Sequence, residues 1–288
     1  DHSAYDSYAV LVEADGERIL YSGDFRTHGR KGSVVERLLN NPPGNVDVLM
    51  MEGTSVGRSG SSQPGQSESA LEEALSHLFE QTTGISLVWC SSQNIDRIVT
   101  IYRACQRSDR QLIIDLYTAH VLQATGNPRI PQASWKNVQV FLPQSQRAQI
   151  IRTGRFDVAN TYRQHRVFSE QLASAAHRSV MLFRPSMIRD LERANCLEGA
   201  RLICSVWKGY LEGTRNLELV EWTHAMGIPL DHCHTSGHAC IGDLRRLAQA
   251  ISPRLLVPIH SSFPHLYTSE FKNSPTLIAC DGEWQPIT

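Results

Sequence analysis

The sequence contains no apolar run that approaches the ~20 residues needed to cross a bilayer, so a membrane-spanning protein is not expected. Its seven cysteines stand singly, without a Cys-x-x-Cys pair, which argues against a disulfide framework and a cysteine-type zinc site. No internal repeat is evident, and the formal net charge over 288 residues is only −1. These absences are typical of a cytoplasmic globular protein with one large domain or two ordinary ones.

The hydrophobic pattern predicts an α/β protein. Asp15-Gly16 separates two apolar runs and predicts a hairpin of strands. From residue 85, strands and helices alternate, which predicts a doubly wound α/β segment inserted between two flanking parts. The other predicted features are a strand over 47–51, a Gly/Ser-rich loop from Gly57 to Gly65, a helix over 69–81, a strand near 229–233, a helix over 241–251, a strand over 254–259 and a terminal pair of strands near 276–287.

Charge is distributed unevenly between these parts. Residues 85–205 contain 16 lysines and arginines against 8 aspartates and glutamates, a net charge of +8. Because the whole chain carries −1, the remainder carries −9. A basic segment joined to an acidic one indicates a surface for a polyanion beside a part that could hold a cation.

Five acidic or imidazole side chains stand at predicted strand ends. His2 precedes the first strand, Asp24 and Glu52 follow strands, His238 precedes a helix, and His260 ends an apolar run. Each one alone fits a surface histidine or a turn carboxylate. Together they indicate a metal site, because imidazole and carboxylate ligands suit zinc or manganese and functional groups collect at such loop positions.

The same residues lie in segments that resemble the beta-CASP branch of the metallo-β-lactamase-fold nucleases, which includes RNase J and the polyadenylation-type endonuclease. The segments occur in the order typical of that family and span the chain. They are Asp1-His2-Ser3-x-x-Asp6-Ser7, Ile19-Leu20-Tyr21-Ser22-Gly23-Asp24-Phe25-Arg26, Glu52-Gly53-Thr54, Ser236-Gly237-His238-Ala239 and Pro258-Ile259-His260.

The resemblance implies a fold and a reaction. Residues 1–84 and 206–288 would belong to a metallo-β-lactamase αββα sandwich, and residues 85–205 would form the beta-CASP cap, with single-stranded RNA passing between cap and core. His2, Asp24 and His260 would bind two Zn²⁺ ions, or Mn²⁺, with Asp24 as the bridge, to activate a hydroxide for attack on phosphorus. His238 would donate a proton to the leaving oxygen and Glu52 would orient it. Ser92 and Ser236 are further candidates for phosphate contact.

One family motif is missing from the sequence. No His-x-His-x-Asp-His segment occurs, and in the family it provides further metal ligands. We therefore expect the 288 residues to be the C-terminal portion of an enzyme whose earlier part carries that motif and the first strands of the sandwich. On this interpretation the portion alone is inactive.

Several alternatives remain open at this stage. A catalytically incomplete RNA-binding or scaffold paralogue would explain the missing motif. A metallo-β-lactamase-fold hydrolase of DNA or of small esters would keep the fold, although a histidine at the position of His260 is typical of RNA-processing members. Endonuclease and 5′-exonuclease activity are not distinguished, nor is a homodimer from a subunit of a larger complex.

Overall fold

Helices and strands alternate along the chain in the computed structural model, which describes residues 1–58, 65–213 and 216–286. Residues 59–64 of the predicted Gly57 to Gly65 loop lie outside this part. The strands are β1 (Val10–Ala14), β2 (Glu17–Tyr21), β3 (Val48–Glu52), β4 (Ser86–Trp89), β5 (Gln111–Asp115), β6 (Val138–Phe141), β7 (Arg166–Val167), β8 (Ser179–Phe183), β9 (Arg201–Cys204), β10 (Leu230–His232) and β11 (Leu255–Ile259). The helices are α1 (Gly32–Asn40), α2 (Glu68–Gln81), α3 (Ile95–Arg107), α4 (Leu116–Ala124), α5 (Gln144–Thr153), α6 (Phe156–Thr161), α7 (Ser169–Ala175), α8 (Ile188–Arg193), α9 (Gly209–Glu212), α10 (Leu217–Ala225), α11 (Ile241–Ile251) and α12 (Tyr267–Glu270).

The protein is an α/β structure with two sheets, each in its own compact unit. The first unit comprises Asp1–Ser67 and Ser236–Thr288, and the second comprises Glu68–Thr235. The first sheet has the order β1-β2-β3-β11 and the second has the order β10-β9-β4-β8-β5-β6-β7. None of the described helices is long and apolar enough to cross a membrane.

The predicted hairpin is confirmed in the first unit. β1 and β2 pair antiparallel, with Leu11 opposite Leu20. Asp15 (φ 52°) and Gly16 (φ 86°) both have positive φ, as a two-residue type I′ turn requires. β2, β3 and β11 then run parallel, so the carboxyl ends of these three strands share one edge of the sheet.

The two faces of this sheet differ in burial. One face packs on helices of the same unit through Leu20, Leu49, Met51, Leu247 and other buried residues. On the opposite face, strand alternation places Val10, Val12 and Tyr21, which are 47%, 49% and 42% exposed. A row of large apolar side chains on a sheet face is normally buried against another layer of structure.

The second unit is built on a sheet whose strands are all parallel. Alternate residues of each strand enter separate cores, with Ile114 and Val140 in one and Ile113 and Phe141 in the other. A parallel sheet covered on both faces is the doubly wound arrangement predicted for the middle of the chain.

The second unit extends beyond the predicted boundaries at residues 85 and 205. α2 belongs to it because Leu71, Leu75 and Phe79 pack in the same core as α3. β10 belongs to it because β10 pairs with β9.

The predicted terminal pair of strands is wrong for the described residues up to 286. That segment forms a single bridge, between Leu256 and Thr276. Pro275 and Pro286 lack the amide hydrogen that a longer ladder needs, and Trp284 is fully exposed rather than packed.

A buried guanidinium joins the two chain ends of the second unit. Arg97 is fully buried, and its Nη2 donates to Glu68 Oε1 (3.1 Å) and to the carbonyl of Thr235 (3.3 Å). Its Nη1 donates to the carbonyl of Ser205 (3.1 Å). Burial, and then the charge of Arg97, lower the pKa of His234 to about 4, so this histidine is neutral near pH 7. Glu68 and Thr235 are thereby fixed against one side chain.

Candidate metal centre

The carboxyl edge of the first sheet carries Asp24. The backbone turns at Gly23 with a φ of 58°, and a β-carbon there would lie 2.9 Å from the carbonyl oxygen of Tyr8. Both constraints require glycine. The amide of Ser22 donates to the carbonyl of Met50 (2.9 Å), which keeps this turn attached to β3. Asp24 therefore leaves the sheet in a fixed position, directly beyond the strand end.

Asp24 lies between two imidazoles. Its Oδ1 is 2.7 Å from Nδ1 of His260, and its Oδ2 is 4.0 Å from Nδ1 of His238. One ligand atom from each of the three residues lies within 4.8 Å of the others. The structure thus brings together three of the five residues that the sequence singled out, from β2, β11 and the loop before α11.

The donor set of these three residues fits a divalent cation. One carboxylate and two imidazoles are ligands that zinc and manganese accept. Six cysteines are buried free thiols, and none of them belongs to the group formed by Asp24, His238 and His260. Three donors are fewer than the about seven or eight that two tetrahedral zinc ions share, so this set alone is incomplete for a two-zinc centre.

His238 is backed by a buried carboxylate. Its Nδ1 lies 3.2 Å from Oε2 of Glu52, which is fully buried. Burial alone would lower the pKa of His238, but the hydrogen bond to Glu52, the charge of Glu52 and the charge of Asp24 outweigh it and raise the pKa above its ordinary value. His238 is therefore held in place and favoured in its protonated form.

Backbone amides hold Glu52 in turn. The amides of Phe25 (3.3 Å) and Ala239 (3.2 Å) donate to Oε1, and the amide of Thr54 donates to Oε2 (3.3 Å). These donors come from the segments that carry Asp24, His238 and the end of β3. One buried carboxylate therefore ties three parts of the site together, and its loss would leave several buried amides unpaired.

His2 lies beside this group but outside it. Its Nδ1 is 2.9 Å from the carbonyl oxygen of Gly237, and its ring centroid is 5.9 Å from that of His238. Since a carbonyl only accepts, Nδ1 carries the hydrogen and Nε2 has the free lone pair. Burial lowers the pKa of His2 further than the Gly237 carbonyl raises it. His2 is thus a neutral imidazole in the form that binds metals, as metal-binding histidines with a carbonyl partner usually are.

His260 has an unusual backbone. Its φ is 47°, in the left-handed region that residues with a side chain rarely adopt, and its side chain is exposed. The hydroxyl of Thr54 lies 3.3 Å from the carbonyl of His260 and 3.4 Å from its Nδ1. Strained backbone of this kind collects at functional sites, because the surrounding structure must hold it.

The positive φ of His260 predicts that glycine at this position gives a more stable protein than alanine, the reverse of the usual order. Without added metal, we expect His260→Gly to have a free energy of unfolding about 1 kcal/mol higher than His260→Ala, because only glycine adopts positive φ without cost. Urea unfolding of both variants measures the difference. Ser262, which is exposed and not in the positive-φ region, gives the matched control, where alanine should be the more stable. An alanine variant at 260 as stable as the glycine variant would contradict the strain.

The two predicted phosphate contacts lie in different units. Ser236 is exposed, and its hydroxyl accepts the amide of His238 (3.1 Å), so it caps the loop that carries this histidine. Ser92 is buried beyond the end of β4, with its hydroxyl 2.5 Å from that of Thr118 and hydrogen-bonded to Arg184. The hydroxyl of Ser92 is therefore already hydrogen-bonded to other side chains of the protein.

Three supporting residues were not recognised from the sequence. Nη1 of Arg26 and Nε2 of His28 both donate to the carbonyl of Ser236 (3.0 and 2.9 Å) and hold the His238 loop. The hydroxyl of Tyr267 donates to the carbonyl of Glu52 (2.6 Å). Arg26 lies in the same sequence segment as Asp24, and this proximity could have indicated that it belongs to the site. For His28 and Tyr267 the sequence offers none, since their partners are more than 200 residues away along the chain.

Comparison with known proteins gives a distant relationship. No family model matches the chain. Ribonuclease J of Helicobacter pylori is 21% identical over 291 residues in strains J99 and B128, covering 97% of this chain and 38% of the relative. The crystal structure of a protein of unknown function from Enterococcus faecalis V583 superposes with a TM-score of 0.75 at 20% identity, over 98% of this chain and 61% of that one. The chain thus shares the fold of the Enterococcus protein, is distantly similar to ribonuclease J, and spans well under half the length of the latter.

Proposed function

We propose that the protein is a metal-dependent hydrolase of RNA phosphodiester bonds, with a metallo-β-lactamase core and a beta-CASP cap. The observation that carries the proposal is the position of Asp24 between His260 and His238, with buried Glu52 behind His238. A carboxylate able to bind metal, beside a histidine whose pKa a buried carboxylate raises, combines the two functions that phosphodiester hydrolysis needs. The distant similarity to ribonuclease J supports RNA as the substrate.

In this proposal His2, Asp24 and His260 hold the metal, as Zn²⁺ or Mn²⁺. When bound, the metal supplies positive charge that polarises the phosphate and lowers the pKa of a water molecule. The contact between Asp24 Oδ1 and His260 Nδ1 (2.7 Å) fixes the orientation of the Asp24 carboxylate. His2 contributes Nε2, because Nδ1 is committed to the carbonyl of Gly237.

His238 acts as the proton donor. Nδ1 faces Glu52 at 3.2 Å, so Nε2 is the nitrogen that delivers a proton to the leaving oxygen. Glu52 keeps the ring oriented and favours the charged imidazolium, the role that a buried carboxylate has behind a catalytic histidine. The raised pKa of His238 supports this assignment, because a donor must be protonated when the substrate binds.

Further polypeptide in the whole protein would complete the site and the core. The first sheet presents exposed Val10, Val12 and Tyr21, the row expected where a second sheet of an αββα sandwich would pack. A cavity of about 330 Å³ lies beside His2 and Asp24 and leaves room for additional side chains. The chain also covers only 38% of ribonuclease J. A His-x-His-x-Asp-His segment in that additional part would supply the missing ligands.

The decisive test is RNA cleavage by the whole protein. We expect it to cleave single-stranded RNA when loaded with zinc or manganese, to stop in chelator, and to recover when metal is returned. The 288 residues alone should bind RNA without cleaving it. Cleavage that persists in chelator would contradict the mechanism. RNA binding without cleavage by the metal-loaded whole protein would indicate a scaffold subunit. Ester hydrolysis with RNA affinity that is independent of salt would indicate a small-molecule hydrolase.

A further inference from the structure

A second cavity lies in the other unit and uses no residue of the candidate metal centre. It has a volume of about 430 Å³ and lies between α4 and α5, just past the carboxyl ends of β5 and β6. Pockets of a few hundred Å³ beside the carboxyl ends of parallel strands are the usual ligand sites of α/β sheets. Its lining includes Tyr117, His120, Gln146, Ile150 and Arg155.

Tyr117 gives this cavity an accessible aromatic ring. The side chain is 45% exposed although it follows directly on a buried strand. The ring is held from two sides: the guanidinium of Arg184 lies 5.3 Å from its centroid, and Gln93 Nε2 donates to its hydroxyl (3.3 Å). A fixed and partly exposed ring loses little conformational freedom when a flat ligand stacks on it. The buried side chain of Ile150 adds apolar contact area in the same cavity.

The side-chain oxygen of Gln146 is a hydrogen-bond acceptor to which no described residue donates. Its Nε2 donates to Oδ2 of Asp115 (2.8 Å), and Asp115 is almost fully buried and also accepts from Arg184. The carboxylate fixes the orientation of the amide, because a carboxylate cannot donate to the amide oxygen. In the described residues Gln146 Oε1 is buried and has no hydrogen-bond partner. A ligand N–H or O–H that enters the cavity would satisfy it.

The charge at the rim favours an anion. Arg155 is exposed at the edge of the cavity, where it pairs with the exposed Asp157 at 3.3 Å. Helix α5, which borders the cavity, contains Arg152 and no acidic residue. His120, also exposed, lines the rim. An anionic group at this edge would therefore meet a local excess of positive charge.

We infer that this cavity binds one unpaired nucleotide. Its base stacks on Tyr117 and donates an N–H to Gln146 Oε1, and its phosphate lies towards Arg155. Stacking, one directed hydrogen bond and a cation at the rim are the means by which proteins hold single-stranded nucleic acid. The choice of a nucleotide as the ligand rests on the proposed RNA substrate. The nucleotide comes either from an RNA strand or from the free mononucleotide pool, since both present the same chemistry.

The inference is tested by calorimetric titration of the protein with each of the four ribonucleoside 5′-monophosphates and with an RNA hexamer. Chelator is present throughout, in an Asp24→Asn background, so that the metal centre does not contribute. Tyr117→Ala should raise the dissociation constant at least roughly tenfold, since a stacked base contributes about that much. Tyr117→Phe keeps the ring and should bind within a few fold of the parent. Gln146→Leu should weaken binding, whereas Gln144→Leu is the matched control on the same helix, because Gln144 already has Arg193 as its partner.

Each outcome decides between named possibilities. Equal loss of hexamer and mononucleotide affinity in Tyr117→Ala, with much tighter binding of the hexamer by the parent, supports a subsite for RNA strands. Mononucleotide binding as tight as that of the hexamer supports a site for free nucleotides. Unchanged affinities in both Tyr117→Ala and Gln146→Leu overturn the inference, even if the whole protein cleaves RNA. Lost affinities in a protein that never cleaves RNA overturn the proposed function and leave the subsite standing.

Discussion

Replacing Asp24 with asparagine in the whole protein is expected to remove bound metal and to lower RNA cleavage by about a thousandfold or more. Loss of a group that merely orients a metal ligand typically costs about 10–100-fold, and in the proposed function Asp24 would contact the cation itself. The amide keeps the shape of the side chain but loses the charge that faces His260 (2.7 Å) and His238 (4.0 Å). His2 and His260 beside a neutral amide no longer form an attractive site for a divalent cation.

Zinc content by mass spectrometry and the rate of RNA cleavage, measured on the same preparation, test this expectation. Asp15→Asn is the matched control. Asp15 occupies the first turn position of the β1–β2 hairpin with a φ of 52°, where asparagine is favoured at least as well, so stability, metal and activity should be unchanged. An Asp24→Asn protein that keeps both its metal and its activity would contradict the role of Asp24.

Replacing His238 with alanine has the second large expected effect, and it separates chemistry from metal binding. As a proton donor His238 should contribute about 10²–10⁴-fold to turnover, while zinc content stays at the level of the parent. Metal content is informative here because one ring nitrogen of His238 lies within 4.8 Å of a possible ligand atom of Asp24 and of His260. Zinc lost together with activity would make His238 a ligand, with Glu52 as the carboxylate that orients it.

A substrate with sulfur at the leaving position distinguishes proton donation from a structural role. A thiolate leaves without being protonated, so His238→Ala should cleave this substrate nearly as fast as the parent does. His224→Ala, at an exposed histidine of the second unit, is the control and should behave as the parent on both substrates. If His238→Ala stays slow on the sulfur substrate, then proton donation is not its role.

Most of the secondary structure was predictable from short-range sequence patterns. The helix over 241–251 and the hairpin at Asp15-Gly16 were predictable because helical periodicity and turn residues act over a few neighbours. β8 was not predicted, since a short run such as Ser179–Phe183 has no alternation that distinguishes a buried strand from a helix segment. Its place between β4 and β5 depends on pairing between residues far apart in the chain.

The residues of the candidate site were largely predictable from the sequence, but their mutual positions were not. Strand ends indicated Asp24, Glu52 and His260, because parallel strands bring their carboxyl ends to one edge of the sheet. That His238, rather than His2, lies in one group with Asp24 and His260 was not predictable, because it depends on the path of the loop before α11. The roles of these residues stay predictions until the metal and turnover measurements are made.

The contacts of Arg97 have a consequence for how such a protein could arise and be engineered. Glu68 and Thr235, the first and last residues of the second unit, both bind its guanidinium, so the entry and exit of that unit lie side by side. A module whose ends meet can be spliced into a host loop, or cut out and replaced by a short tether, with little disturbance of the host. The second unit therefore has the form of an inserted domain that can be moved between proteins, and Arg97 holds its first and last residues together.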